Sequence, residues 1–252
     1  MKTIAIINLK GGVAKTVTAI NMADILADGG KRVLLIDNDK QGNTSKFFRV
    51  HGYEKPTLED VLVNSGYDIH RAIQKTRYQN IDVIPANMNL LNANLKLMMD
   101  VTRPQQIILR ECLEDIETEY DYCIIDNAPD INISVINALV AANDVIVPVK
   151  IDQFAFDGLE TLKGQFEEIQ KSFNPHLNFA GCLVTQFAKN KVNKEGTQWL
   201  EQGGKYPVFK TLIHRTVKID ESTFAGVPIV KHSKGCRAAI DYKDFVKEYL
   251  KK

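Results

Sequence analysis

The sequence contains no closely spaced cysteine pair and no long apolar run. Its four cysteines are widely separated, at Cys112, Cys123, Cys182 and Cys236. This spacing excludes Cys-x-x-Cys zinc and redox motifs and suits free thiols in a reducing compartment. No apolar segment approaches the roughly 20 residues that span a bilayer. The N-terminus also lacks the charged and apolar regions of a secretory signal, so we expect a cytoplasmic protein.

Net charge is also nearly absent, but its distribution is uneven. The chain carries a formal charge of +1. Residues 189–252 contain 14 Lys/Arg and 7 Asp/Glu, whereas the rest contains 18 and 24. This basic C-terminal quarter favours an anionic partner, and the alternative interpretation is ordinary solvated lysines on surface helices.

Short apolar segments alternate with helical patterns along the chain. The predicted strands are Thr3–Asn8, Arg32–Ile36, Ile81–Pro85, Tyr122–Asp126, Asp144–Val149, Phe179–Thr185 and Val208–Ile213. The predicted helices are Thr16–Ala27, Asn87–Val101, Pro104–Glu119, Ile133–Ala142, Phe156–Phe173, Lys191–Gln202 and Cys236–Leu250. This alternation predicts an α/β fold with a mostly parallel, twisted sheet and helices on both faces. Without a long linker or repeat, residues 1–252 are expected to form one domain.

The segment NLKGGVAKTVT, residues 8–18, lies between the first predicted strand and the first helix. It approximates the P-loop pattern Gly-x4-Gly-Lys-Ser/Thr, but Leu9 and Ala14 occupy the two glycine positions. The backbone N–H groups of such a turn, with the start of the following helix, bind phosphate. Lys15 is predicted to contact the β- and γ-phosphates, and Thr16 to offer its hydroxyl to Mg²⁺.

Two later strands end in carboxylates. VLLIDNDKQGN, residues 33–43, contains Asp37 and Asp39, and YDYCIIDNAPD, residues 120–130, contains Asp126. Ligands of open α/β sheets bind beyond the carboxyl ends of the strands. A single aspartate at a strand end more often caps the next helix, but three beside a P-loop predict a magnesium and water site.

Together these motifs resemble those of the ParA/MinD family of P-loop ATPases. Lys10–Thr16 is similar to the family's deviant Walker A motif, KGGxGK[ST]. Asp37–Asn43 resembles D-x-D-P-Q-G-N with Lys40 in place of proline, and Tyr120–Pro129 resembles YDYIIIDTPP. Residues 213–238 are similar to the late segment PRNVRLSEAPSYGKPI. The resemblance runs nearly end to end and is closest to the short, Soj-like ParA proteins, which lack an N-terminal helix-turn-helix.

The resemblance implies an ATP hydrolase that uses Mg²⁺ and forms a homodimer around ATP. Lys10 is then expected to cross into the partner's site, so Lys10, Lys15 and Asp39 are the predicted catalytic residues. Asp39 is expected to orient the attacking water. The predicted metal-site residues are Thr16, Asp37 and Asp126. The predicted nucleotide-binding residues are Lys10, Gly11, Gly12, Val13, Ala14, Lys15, Thr16 and Val17.

Ala14 departs from the glycine of the family motif. Its methyl group would crowd the phosphate or require an unfavourable φ, whereas a negative φ, as at a helix start, would make alanine tolerable. We expect ATP binding to be retained, with slow hydrolysis or weakened affinity as the alternative. Asn127 and Ala128 also depart from the family's Thr-Pro.

Members of the resembled family bind either DNA or membrane in their ATP state. Cys236–Leu250 lacks a detached amphipathic tail and is predicted to dock on the core, which disfavours membrane binding. The predicted partners are therefore non-specific double-stranded DNA and a ParB-like protein that stimulates hydrolysis, which implies nucleoid association. The predicted DNA-binding residues are Arg215, Lys218, Lys189, Lys191, Lys234 and Arg237, of which the first two match basic positions of the PRNVR segment.

The predicted function is thus a ParA-type ATPase that partitions DNA. Two alternatives stay open. One is a MinD-like membrane-associated positioning ATPase. The other is a nucleotide-gated DNA-binding scaffold in which Ala14 leaves little hydrolysis.

Overall fold

The computed structural model describes residues 1–152 and 155–252, and the side chains of residues 155–157 also lie outside the description. Seven strands form one sheet with the order β3-β4-β2-β5-β1-β6-β7. All neighbouring strands are parallel except β3, which is antiparallel to β4. The strands are β1 (Lys2–Ile6), β2 (Val33–Asn38), β3 (Gln74–Lys75), β4 (Ile81–Ile84), β5 (Tyr122–Asn127), β6 (Asp144–Lys150) and β7 (Asn178–Thr185).

Helices cover both faces of this sheet. They are α1 (Lys15–Asp28), α2 (Asn43–Phe47), α3 (Leu58–Val63), a 3₁₀ turn (Ile69–Ala72), α4 (Asn89–Met99), α5 (Ile108–Glu114), α6 (Ile133–Ala141), α7 (Ala155–Ser172), α8 (Lys191–Gln202), α9 (Val217–Ala225), α10 (Ile229–His232) and α11 (Arg237–Tyr249). Among the residues described, no helix combines the length and the apolar character needed to cross a bilayer.

Alternate residues of each strand enter cores on opposite faces of the sheet, because side chains alternate along a strand. Val33 and Leu35 pack with α1 and α11, whereas Leu34 and Ile36 pack with α3, α4, α5 and α6. A third cluster joins β6 and β7 to α6, α7 and α8. The predicted doubly covered, mostly parallel sheet is confirmed.

The predicted strand Val208–Ile213 is wrong. Among the residues described, this segment forms one isolated parallel bridge to β7, between Val208 and Cys182, and the Ile213 N–H donates to the Val184 carbonyl at 2.9 Å. Phe209 and Ile213 are buried, which explains the apolar pattern. Between them, the backbone N–H groups of residues 210 and 211 donate to the Glu248 carboxylate at 2.7 and 3.0 Å instead of to a strand. The Glu248 side chain of α11 therefore accepts the hydrogen bonds that a neighbouring strand would accept from residues 210 and 211.

One predicted helix is shorter in the structure, and another docks on the core as predicted. The predicted helix Pro104–Glu119 is reduced to α5, because the Asn137 side chain binds the Gln105 carbonyl at 2.7 Å and holds the preceding turn outside the helix. The C-terminal helix docks on the core as predicted, with Tyr242 and Phe245 fully buried, although Leu250 is exposed.

Candidate phosphate-binding site

Hydrogen bonds from the carboxyl end of β7 hold the loop between β1 and α1 in place. The Thr185 hydroxyl donates to the Val13 carbonyl at 3.0 Å, and the Gln186 amide donates to the Gly12 carbonyl at 2.6 Å. Gly12 has a φ of 73°, which glycine adopts readily. Sequence reasoning did not name Thr185 or Gln186, although the rule used for the aspartates, that strands end at this edge, also applies to β7.

Lys15 is a buried cation at the centre of the loop. Its Nζ donates to the Lys10 carbonyl at 3.2 Å, so the side chain curls back under the loop backbone. Burial lowers the pKa of Lys15, while the negative charges of Asp126, Asp39 and Asp130 oppose that shift. The structure thus brings Lys15 together with the predicted carboxylates.

Ala14 has a left-handed backbone, with φ of 65° and ψ of 31°. The structure therefore excludes the negative φ that would make alanine tolerable at position 14. Ala14 is the N-cap residue of α1, and its carbonyl accepts from the Thr18 N–H at 2.9 Å, so the chain turns sharply just before the helix begins. An alanine in this conformation costs roughly 1–2 kcal/mol relative to its preferred regions.

We predict that Ala14→Gly will raise the free energy of unfolding by about 1 kcal/mol, because glycine adopts positive φ without the Cβ clash. Urea denaturation measures this change. Asn80→Gly is the matched control, since Asn80 has a φ of 64° but lies at the amino end of β4, on the other edge of the sheet. Only Ala14→Gly is expected also to change nucleotide affinity. An unchanged or lower stability would contradict the strain at Ala14.

Asp37 is fully buried and fixes α2 to the end of β2. Its Oδ2 accepts from the Ser45 N–H at 2.8 Å and the Ser45 hydroxyl at 2.6 Å, and its Oδ1 accepts from the Asp39 N–H at 3.2 Å. Burial, followed by repulsion from Asp126, raises the pKa of Asp37 to about 8. These bonds give Asp37 a role in positioning the segment that carries Asp39.

Asp126 offers an oxygen suited to a metal ion. In the strand register it lies opposite both Ile6 and Asp37. Its Oδ2 accepts from the Thr44 hydroxyl at 2.8 Å, whereas its buried Oδ1 has no hydrogen-bond partner among the described residues. Burial raises the pKa of Asp126 to about 6, opposed by hydrogen bonds from Thr44 and Thr16 and by the charge of Lys15.

The residues here fit Mg²⁺, which takes oxygen ligands and keeps several waters or phosphate oxygens in its coordination shell. The Asp126 oxygen without a hydrogen-bond partner and the Thr16 hydroxyl are oxygen ligands of this kind. In the part of the chain that is described, no group of three His, Cys, Asp or Glu could hold a metal ion. The protein would therefore supply only part of the coordination shell.

The raised carboxylate pKa values predict that the nucleotide-free protein loses stability as pH rises. An unfolded aspartate titrates near 3.9, whereas folded Asp126 and Asp37 titrate at about 6 and about 8. The folded state therefore binds more protons over this range, and the free energy of unfolding falls as pH increases. Between pH 6 and 8 we expect a loss of about 2 kcal/mol, mostly through Asp37.

Denaturant melts at pH 6 and 8 measure this dependence. Asp37→Asn should flatten it, whereas Asp130→Asn, at an exposed position, should not. Equal wild-type stability at both pH values would contradict the protonation of Asp37.

Asn38 and Asn127 join the tips of three neighbouring strands. The Asn38 amide donates to the Asn127 side-chain oxygen at 2.8 Å, and the Asn127 amide donates to the Ile6 carbonyl at 3.2 Å. Asn127, one of the departures from the family pattern, thus links β2 and β5 to the strand that leads into the loop.

The remaining predicted catalytic residues lie at the mouth of the site. Lys10 forms an ion pair with Asp152, which follows β6 at the same edge of the sheet. Asp39 is half-buried and accepts from the Gln41 N–H at 2.9 Å. Asp152 follows a predicted strand, and no other feature of the sequence singled it out.

Of the predicted DNA-binding residues, Arg215 lies beside this loop, because it lines one cavity with Gly12 and Ala14. The Arg215 N–H donates to the Phe187 carbonyl at 3.0 Å, which places Arg215 near the start of the segment carrying Lys189 and Lys191. Lys218 lies in the first turn of α9. Arg237 binds the Asp241 carboxylate at 2.8 Å.

Ion pairing separates these cations into groups. Among the residues described, no carboxylate pairs with Arg215, Lys189 or Lys234. Lys218 pairs with Glu221 at 2.7 Å and Lys191 with Glu195 at 3.7 Å, and such exposed pairs are readily exchanged for phosphate. Arg237 differs because its partner Asp241 is buried and also binds His214 at 2.8 Å, so Arg237 is held by a carboxylate that is fixed in the fold.

A turn with left-handed backbone, followed by a buried lysine and a hydroxyl at the carboxyl edge of a parallel sheet, defines a P-loop nucleotide-binding protein. The family profile described as AAA domain matches residues 1–179. The sporulation initiation inhibitor protein Soj of Bacillus subtilis is 38% identical over 98% of this chain and 97% of its own. The chromosome partitioning protein ParA of Caulobacter vibrioides is 33% identical over 99% of this chain and 94% of its own.

Among solved structures, cobyrinic acid a,c-diamide synthase from Mycobacterium smegmatis, with a bound ATP analog and magnesium, has a TM-score of 0.85. It is 27% identical and covers 100% of this chain and 95% of its own. With relatives above 30% identity over nearly the whole chain, the protein belongs to the Soj/ParA family of P-loop ATPases.

Proposed function

We propose that this protein is a ParA-type ATPase that partitions DNA. The observation that carries the proposal is the buried Lys15 beside Thr16 and the free oxygen of Asp126. ATP and Mg²⁺ bind at this loop, two copies close around the nucleotides, and the dimer binds DNA non-specifically. Hydrolysis, stimulated by a ParB-like partner, then releases the protein from DNA, so the ATP-bound dimer is the nucleoid-associated state.

The loop provides the phosphate site of this mechanism. Backbone N–H groups at Gly11 and Gly12 and the start of α1 hold the phosphates, and Lys15 neutralises their charge. When bound, Mg²⁺ stabilises charge on the β- and γ-phosphates, and Thr16 and Asp126 are the residues that hold it. Asp39 orients the attacking water.

A cavity of about 290 Å³ next to the loop fits the nucleobase. Its lining includes Gly12, Ala14, Val17, Gln186, Arg215 and Thr216. The ATP analog and magnesium of the related synthase structure support this choice of ligands.

Dimerisation requires Lys10 to leave Asp152 and to bind the triphosphate of the facing copy. In this conformation Lys10 binds Asp152 of its own chain. Both side chains are about one-third exposed, at 30% and 34%. Such a partly exposed pair is weak, so a triphosphate from the facing copy replaces Asp152 at little cost. The γ-phosphate thereby controls whether two copies stay together.

DNA binding follows from the cations beside the loop. Arg215 and Lys189 are available for phosphate, and Lys218 and Lys191 exchange their surface partners. A dimer presents this group twice, which raises affinity and steepens the dependence on salt. The ParA relative supports a partitioning role.

The alternatives have less support. The docked α11 offers no free apolar face for a MinD-like membrane anchor. The name of the synthase structure indicates a biosynthetic role for that protein, but its 27% identity is below the 38% of Soj. A scaffold with little hydrolysis is favoured by one observation, the left-handed φ of Ala14.

DNA retention with ADP, ATP and a slowly hydrolysed ATP analogue, at two salt concentrations, tests the proposal. We expect binding with ATP and the analogue, weak binding with ADP, and a steep loss at the higher salt. Equal retention in all three nucleotide states would contradict it. ATP-dependent flotation with phosphatidylglycerol vesicles, without DNA binding, would identify the membrane alternative.

A further inference from the structure

Helix α4 is apolar on two opposite faces. Its inner face buries Leu90, Ala93 and Leu97 in the core beneath β2 and β4. Asn94, beside that face, accepts from the Ser134 N–H at 2.9 Å and fixes α4 to the start of α6. An apolar helix face is normally covered, so a helix with two apolar faces is normally covered on both. The outer face of α4 is therefore exposed, although its residues are typical of a buried face.

The outer face carries five large apolar side chains. Their exposed fractions are 46% for Met88, 43% for Leu91, 56% for Leu95, 66% for Met98 and 81% for Met99. Isolated exposed apolar residues are common, but a continuous group of five on one helix marks an interaction surface. Methionine is flexible and adapts to the shape of a partner surface. We call these five residues the α4 ridge.

The spacing within the α4 ridge is self-complementary. Met88, Leu91, Leu95 and Met98 are separated by three, four and three positions, the spacing of a coiled-coil seam. This spacing is the same in both directions, so an antiparallel second copy places Met88 against Met98 and Leu91 against Leu95. The ridge thus matches itself across a two-fold axis.

Charge also favours a second copy over an ionic partner. Lys96 is the only charged residue in the sequence of α4, and it already binds Glu59 at 3.4 Å. Asn92, next to the ridge, is uncharged. Two copies therefore approach without like-charge repulsion, whereas a strongly basic or acidic partner finds no opposite charge along the helix.

We propose that the α4 ridge pairs with the ridge of a second copy of this chain, in an antiparallel contact separate from the ATP-bridged interface. α4 begins beyond the carboxyl end of β4 and extends about 16 Å at 1.5 Å per residue, along the helical layer and away from the nucleotide edge. That edge stays free to face another copy.

One helix pair buries less than the roughly 1,200 Å² of a stable interface, so the contact is weak in dilute solution. The inference concerns the nucleotide-free chain and does not need the proposed function. It is therefore tested without ATP or DNA, at the highest soluble concentration.

Cysteine cross-linking tests the antiparallel register. Met88→Cys and Met98→Cys variants are mixed and treated with a short bis-maleimide, with the parent protein as the control for its native cysteines. In the pairing, residues 88 and 98 of different copies meet, whereas two copies of residue 88 lie about 15 Å apart along the helices. We expect several-fold more cross-linked dimer in the mixture than in either variant alone. Equal yields, or none above the parent, overturn the proposal.

Sedimentation tests the energy of the contact. Leu91→Ser with Leu95→Ser should weaken self-association of the nucleotide-free protein roughly tenfold or more, because two apolar contacts are lost per copy. Leu250→Ser is the control, since Leu250 is exposed at 52% but lies outside the ridge. Self-association that survives the double substitution overturns the proposal. A monomeric parent that binds neutral vesicles or another protein through α4 also overturns it.

Discussion

Lys10→Ala will eliminate ATP-dependent dimerisation and leave a folded monomer that still binds ATP. In the single chain, Lys10 contributes a partly exposed ion pair with Asp152, which is worth about 0–1 kcal/mol. The phosphate site keeps Lys15, which holds its place through the Lys10 backbone carbonyl and not its side chain. Folding and nucleotide binding should therefore change little.

The dimer loses far more in this variant. A hydrogen bond to a charged group contributes about 1.5–3 kcal/mol, and each dimer contains two crossing lysines. The expected loss is about 3–6 kcal/mol, which weakens dimerisation by more than roughly 100-fold. Sedimentation equilibrium with ATP and Mg²⁺ measures the constant.

Asp152→Asn is the matched control for Lys10→Ala. It removes the ionic partner of Lys10 within the chain but keeps the lysine, so dimerisation should be unchanged or tighter. Normal ATP dimers in Lys10→Ala would contradict the crossing role. Loss of ATP binding in that variant would show instead that Lys10 serves its own site.

Arg215→Glu combined with Lys218→Glu will lower DNA affinity by roughly 100-fold or more at low salt. The measurement is made at saturating ATP, because Arg215 also lines the cavity proposed for the nucleobase. Each chain changes by four charges, so the dimer changes by eight, and non-specific affinity depends on the number of phosphates neutralised. Both residues are exposed, so the fold should be retained. The slope of affinity against salt should also become shallower.

A matched double substitution separates position from net charge. Lys31→Glu with Lys171→Glu makes the same charge change at exposed positions near the amino edge of the sheet, in the turn after α1 and at the end of α7. We expect it to weaken DNA binding only slightly. Equal losses in both double variants would mean that overall charge, and not the group beside the loop, controls DNA retention.

Local patterns predicted the parts of the site that depend on chain order. The strand ends near Asp37 and Asp126 and the helix start at Thr16, one residue after the observed start, follow from short apolar runs and turn residues. Their convergence at one edge could therefore be deduced. The parallel sheet followed from the same alternation. The two-residue antiparallel β3 is too short to leave such a pattern.

What the sequence did not reveal depends on contacts between distant residues. Val208–Ile213 has a strand pattern, but Glu248 in α11 binds its backbone. Gln186 and Asp152 acquire their partners only when β7 and β6 are placed beside the loop. The φ of Ala14 is set by closure of the whole turn, which residue preference alone does not determine.

The molar mass of the wild-type protein with saturating ATP and Mg²⁺, compared with ADP and Mg²⁺, tests the central claim most directly. Light scattering should give the mass of one 28.3 kDa chain with ADP and, at concentrations too low for the α4 contact, of two chains with ATP. A single-chain mass with saturating ATP would contradict a nucleotide shared between two copies.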